Sequence, residues 1–155
     1  MSVLWIVHLP LYCAQSANNW DCVDSGKHLD YDGNSAYMIY VSAAAGRWNY
    51  YKSGVIRQDT PFINEDIYAS DVTGSATSWV GRTYSDGRMY FNTTRMTSMS
   101  DERRTNIAAH ELGHALGLGH STYGDLMYDT CSDYTSTKQL SQNDKDSYDA
   151  AYNLY

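Results

Sequence analysis

Apolar residues at Tyr37, Val41, Ala44, Ala45 and Trp48 recur at three- and four-residue intervals within residues 35–49. That spacing places them on one face of a helix and predicts an amphipathic segment packed on a sheet. A second stretch has the same period, with Ile107, Ala108, Leu112 and Ala115 on its apolar face. Ser98 or Ser100 can cap its start, Asp101 and Glu102 sit where the helix dipole favours negative charge, and Gly117 predicts its end. A third helix is predicted from Ser141 as cap through Tyr148, Ala151 and Tyr152. Strands are predicted at residues 28–31, 54–58 and 65–72, where Ile67, Ala69 and Val72 are interrupted by polar residues. Two more, at 79–84 and 88–92, join through Ser85-Asp86-Gly87, in which Asp-Gly is a hairpin signal. Asp32-Gly33-Asn34 predicts a turn before the first helix. Residues 1–25 are the least legible, with a strand at 3–9 and a following loop that Cys13 and Cys22 could clip. Between the second and third helices the chain is rich in Asp, Ser, Thr, Tyr and Gly and is predicted to be irregular to about residue 138. This order predicts one α/β (α+β) domain over residues 1–155.

Composition narrows the possible roles. The chain has 155 residues, 43% of them hydrophobic, enough for one packed core and too few for a second large one. Eighteen acidic against eleven basic residues leave a net charge of −7, which argues against nucleic acid as a partner. No apolar run approaches the roughly 20 residues of a membrane-spanning helix, so no membrane role is expected. Fifteen tyrosines with only two phenylalanines give a hydroxyl-rich chain that suits a secreted protein. Residues 1–17 lack a basic start and a full-length apolar core, so no clear signal peptide is read there.

The candidate chemistry lies in His110-Glu111-Leu112-Gly113-His114-Ala115-Leu116-Gly117-Leu118-Gly119-His120. His110 and His114 stand one helical turn apart, so both imidazoles can reach one ion, with Glu111 beside them as a general base. On an unbroken helix His120 would lie about 15 Å along the axis from His110, out of coordination range. The chain must therefore turn, and Gly117 stands where a turn is needed. Three neutral imidazoles leave the fourth position of a tetrahedral zinc open, which is the catalytic pattern.

This run resembles the metzincin signature H-E-x-x-H-x-x-G-x-x-H, matched at every fixed position. Met127, within Asp125-Leu126-Met127-Tyr128, resembles the Met-turn that follows it. Ser121 after the third histidine, Leu-Met-Tyr at the turn and the tail Leu140-Ser141-Gln142-Asn143-Asp144 are most similar to the matrixin branch. The likeness runs from about Asn34 to Tyr155. It implies a metzincin-like catalytic domain: a twisted, mostly parallel sheet with an antiparallel edge strand, an active-site helix, a Met-turn and a C-terminal helix. It also implies a secreted, monomeric zinc endopeptidase acting on proteins or peptides, with one Zn²⁺ held by His110, His114 and His120, and Glu111 catalytic. A non-catalytic zinc- or peptide-binding module on the same fold is an alternative, although such a module has no need of Glu111. A snapalysin-like enzyme is another, although its third ligand is Asp where this chain has His120.

Some family features are not found. No cysteine-switch segment of the type that keeps matrixin zymogens latent is evident, and the length is close to that of a bare catalytic domain. His8 and His28 are too few for a second, structural zinc. Calcium is possible, but no spacing identifies its ligands. Asp129 occupies the place where some metzincins use a Tyr, so neither Tyr128 nor Tyr134 is expected to be catalytic. Residues 79–92 can supply an edge onto which an extended peptide adds. For the cysteines the simplest pairing is Cys13 with Cys22, leaving Cys131 free. The alternatives pair Cys131 with one of the first two, or send a free thiolate to the open zinc position.

Overall fold

The computed structural model describes residues 18–60, 64–76, 78–130 and 133–155. The expected strand at 3–9, His8, Cys13 and Cys131 lie outside the described residues. The strands are β1 (Leu29–Gly33), β2 (Ile56–Gln58), β3 (Ile67–Val72), β4 (Gly81–Thr83) and β5 (Arg88–Asn92). The helices are α1 (Met38–Tyr51), α2 (Thr93–Met96), α3 (Asp101–Ala115) and α4 (Gln142–Tyr152). The strands form a sheet in the order β2-β1-β3-β5-β4, parallel throughout except for β4, an antiparallel edge. This is the mixed sheet that the resemblance implied.

Period-two alternation builds the core. Leu29 and Tyr31 of β1, Ile67 and Ala69 of β3, and Met89 and Phe91 of β5 are buried, and the register sets Tyr31 beside Ile67 and Ala69 beside Met89. Tyr68, Arg82 and Arg88 occupy the alternate positions and are exposed. The helical period is equally faithful: all five residues expected on the apolar face of α1, Tyr37 to Trp48, are buried. A side chain of Leu or Phe size buried this fully contributes about 1.5–3 kcal/mol. Helix α1 packs on α3, with the Trp48 indole N–H donating to the Ala109 carbonyl at 2.9 Å. Buried Asn106 of α3 accepts from Arg47 of α1 at 3.0 Å and from the Lys138 amide at 2.9 Å, and donates to the Ser136 carbonyl at 2.8 Å. All its amide atoms are thus partnered, as burial requires.

Strands β2, β3 and β4 are shorter than the expected 54–58, 65–72 and 79–84, and two other boundaries differ for a visible reason. Asp32 and Gly33 continue β1 instead of turning, because Gly33 runs against the backbone of β3: a Cβ there would stand 2.2 Å from the Ala69 carbonyl oxygen. Helix α1 begins at Met38, since Ser35 and Ala36 are held outside it by the Asp71 carboxylate of β3. Of the two candidate caps of α3, Ser100 is the one used, accepting from the Arg103 amide. The short α2 was not foreseen.

The C-terminal end of α3 positions everything that follows. Gly117 adopts φ +85°, Gly117 N donates to His114 O and Leu118 N to Gly113 O, the paired bonds of a Schellman motif. The next carbonyls find partners from both ends of the described chain. Ala115 O accepts from Cys22 N (2.8 Å), Leu116 O from the Tyr155 hydroxyl (2.6 Å) and Gly117 O from Asn18 N (2.8 Å). No carbonyl of this helix end is left orphaned, although it is buried.

Candidate metal centre

The Schellman reversal returns the chain so that His120 faces the helix it has just left. One ring nitrogen from each of His110, His114 and His120 lies within 4.8 Å of the other two. Their ring centroids are 4.7, 4.9 and 5.2 Å apart. His110 Nδ1 is 3.0 Å from the Leu126 carbonyl and His114 Nδ1 is 2.8 Å from the Leu118 carbonyl. A carbonyl only accepts, so both Nδ1 atoms carry the proton and both Nε2 atoms present a lone pair. Burial lowers the pKa of His110 to about 3, helped by the neighbouring His114 and opposed by the Leu126 bond. Burial likewise lowers His114 to about 4. Neutral imidazoles with lone pairs converging on one point fit a borderline-soft divalent ion such as zinc.

Glu111, on the same helix, is 5% exposed and lies beside the edge strand. The Thr83 hydroxyl of β4 donates to its Oε2 at 2.7 Å. A Cβ on Gly81, two residues earlier, would stand 2.7 Å from Glu111 Oε1, so the glycine makes room for the carboxyl. Burial raises its pKa to about 7, against the Thr83 bond and the positive charge of Arg82. A carboxyl balanced near neutrality can both take and return a proton.

Beneath the histidines lies Met127, 1% exposed. Gly113, between His110 and His114, leaves space for it: an added Cβ would be 2.3 Å from Met127 Sδ. The turn carrying Met127 is fastened by Asp144 of α4, whose carboxylate accepts from Leu126 N at 2.9 Å and Met127 N at 3.1 Å. The same carboxylate closes a capping box with Ser141. Thus α4 holds the carbonyl that orients His110.

The three histidines and Glu111 line a cavity of about 510 Å³ whose walls also include Trp20, Trp79, Arg82, Thr83, Asp129 and Thr130. All four residues expected at the site, His110, Glu111, His114 and His120, are brought together here. Tyr134 is turned away, its hydroxyl accepting from Gly124 N at 2.7 Å, and His28 lies beside Asp24. Cys22 is a free thiol among the described residues, and its expected partner Cys13 lies outside them. The Cys22 Sγ donates to the Tyr84 carbonyl at 3.8 Å, and burial pushes its pKa up to about 11. Asp24, Asp30 and Asp66 also cluster, but the Arg57 guanidinium takes both oxygens of Asp30, at 2.8 and 2.6 Å.

Sequence reasoning missed Thr83, which meets Glu111 only through the fold. It also missed Asn18 and Trp20, which belong to the segment without legible pattern.

The chain is 57% identical over 47 residues to an interstitial collagenase of Sus scrofa and 44% identical over 57 residues to one of Bos taurus. These stretches cover 30% and 36% of this chain but only 10% and 12% of those relatives, so the chain matches about a tenth of their length. Among solved structures it is similar to an archaemetzincin of Methanopyrus kandleri, with TM-score 0.57, 14% identity, and 84% of this chain and 99% of that one covered. It is also similar to a chain in the GM1-bound form of the ECX AB5 holotoxin, with TM-score 0.62, 16% identity, and 88% and 86% covered. A third likeness is to high choriolytic enzyme 1, a hatching enzyme zinc-protease of Oryzias latipes, with TM-score 0.52, 14% identity, and 86% and 94% covered. At these identities the structural likenesses establish the fold alone. The family model of the matrixins (peptidase M10) matches residues 25–153, and the chain belongs to that family.

Proposed function

We propose that this protein is a zinc-dependent endopeptidase that cleaves peptide bonds in proteins or peptides outside the cell, working as a monomer. The observation that carries the reading is the convergence of three imidazoles with a buried carboxyl on the floor of an open cleft. His110 and His114 would hold the ion through the nitrogens their carbonyl partners leave free, and His120 through the ring nitrogen that faces theirs. Zinc, when bound, supplies a Lewis acid that acidifies water and polarises a carbonyl. Glu111 takes the proton of the attacking water at its carboxylate and then delivers it to the nitrogen of the departing amine. Thr83 holds the carboxyl toward the cleft during both transfers. The unpaired side of β4 accepts an extended substrate through main-chain hydrogen bonds, setting the scissile bond beside Glu111. No side chain acts as nucleophile, so no acyl-enzyme accumulates.

The test is cleavage of a denatured-protein peptide library read by mass spectrometry, with and without chelator. Cleavage that the chelator stops is expected. Glu111→Ala should retain zinc and lose nearly all activity, whereas His120→Ala should lose both. Chelator-insensitive cleavage, no cleavage by the zinc-loaded chain, or wild-type activity in Glu111→Ala would overturn the proposal.

A further inference from the structure

The segment preceding β1 contributes to the proposed metal centre. Residues 18–22 lie along the exit of α3, where Asn18 N and Cys22 N donate to Gly117 O and Ala115 O at 2.8 Å each. The contact is close: a Cβ on Gly117 would stand 3.3 Å from Asp21 Cβ and 3.6 Å from the Trp20 carbonyl oxygen. A third bond goes beyond support of a helix end. Asn18 Nδ2 donates to the Leu118 carbonyl at 2.9 Å, and that carbonyl also accepts from His114 Nδ1 at 2.8 Å.

A carbonyl oxygen has two lone pairs, so it can serve both donors at once. Its direction is set by the peptide plane between Leu118 and Gly119, and a glycine leaves that plane free to rotate. His114 alone cannot fix it, because the ring and the carbonyl could swing together. The Asn18 amide comes from a separate segment, itself tied by backbone bonds to α3, and so supplies an external reference. Two consequences follow for the candidate ligands. The His114 ring is held with Nε2 toward the other imidazoles, and the short link from Leu118 to His120 is anchored at its start.

We propose that Asn18 is a positioning residue of the metal centre, acting on His114 through the Leu118 carbonyl. Partners of this kind, one bond removed from a ligand, typically change metal affinity by about 10–100-fold when removed. The inference rests on the reading of the three histidines as a zinc site.

The experiment measures zinc affinity of the full chain by competition with a fluorescent chelator, together with the visible absorption of the cobalt-substituted protein. Asn18→Asp keeps the shape and replaces the donor by an acceptor facing a carbonyl, whereas Asn18→Ala removes the group. Both are expected to bind zinc about 10-fold more weakly and to alter the cobalt bands. Asn19→Ala, at the exposed neighbouring position, should do neither. Thermal melting of the metal-free variants separates this from general loosening: a purely structural Asn18 would lower the melting temperature and leave the affinity of the folded protein and the cobalt bands unchanged. Wild-type affinity and wild-type bands in either folded variant would overturn the proposal. His120→Ala serves as reference. If it weakens zinc strongly while the Asn18 variants do not, only the Asn18 role fails. If wild type and His120→Ala bind zinc equally, the three-histidine reading fails, and the Asn18 role with it.

Discussion

Replacing Asp144 by Asn isolates what the fastening of the Met127 turn contributes. The carboxylate is fully buried and accepts three backbone N–H groups: Leu126 (2.9 Å) and Ser141 (2.8 Å) at Oδ2, and Met127 (3.1 Å) at Oδ1. Asn has nearly the same shape but one acceptor oxygen. Its best orientation keeps the two bonds at the Oδ2 position and sets an NH₂ against the Met127 N–H, leaving two donors face to face. Losing one charge-assisted bond costs about 1.5–3 kcal/mol, and stranding a buried donor about 1–3 kcal/mol. The expected destabilisation is therefore about 2.5–6 kcal/mol, a large share of the roughly 5–15 kcal/mol that holds a domain. With a urea slope of about 2 kcal/mol/M, the unfolding midpoint of the metal-free protein should fall by about 1.3–3 M. Because Leu126 also presents its carbonyl to His110, zinc affinity should fall together with stability. A midpoint shift below about 0.3 M, with unchanged zinc affinity, would refute the claim that this carboxylate organises the turn.

Gly113→Ala forces a Cβ to within 2.3 Å of Met127 Sδ; overpacking of this kind costs about 1–3 kcal/mol, visible as a lower melting temperature that Met127→Ala in the same chain should partly restore. Thr83→Val removes the hydrogen bond that favours the charged form of Glu111. The carboxyl pKa then rises, and the acidic limb of kcat/KM should move to higher pH; a fixed or acid-shifted limb would contradict the assignment. In the metal-free protein His110 and His114 are held neutral, at about 3 and about 4, below the ordinary histidine value of 6.5. Between those values the unfolded chain binds protons that the native one does not, so stability should fall as the pH drops from 6.5 toward 4, by up to about 2.7 kcal/mol per pH unit for two histidines. Urea midpoints independent of pH over that range would show that the rings are not buried neutral.

The elements that carry the site were legible wherever one residue type served one local purpose. Periodicity located α1 and α3, Asp-Gly marked the hairpin, and Gly117 marked the helix end because an L-residue is strained at φ +85°. The four site residues followed from spacing within a single run of eleven. What was not legible depends on contacts distant in sequence. Gly33 looks like a turn residue until Ala69 lies against it. Thr83 is an unremarkable strand residue until α3 brings Glu111 to it, and Asn18 meets its carbonyl across a hundred positions of chain.

The way the end of α3 is closed bears on the order in which the molecule is made. Leu116 O awaits Tyr155, the turn under His110 awaits Asp144, and Lys27 reaches the Tyr152 carbonyl at 3.0 Å. A nascent chain that has emerged only as far as His120 holds every proposed catalytic side chain but lacks the Leu126 carbonyl, and the Asp144 carboxylate behind it, that fix His110 in place. Long-range closure of this type is slow and late in folding. The proposed activity should thus arise only once the residues of α4 and Tyr155 have been made and have closed on the end of α3.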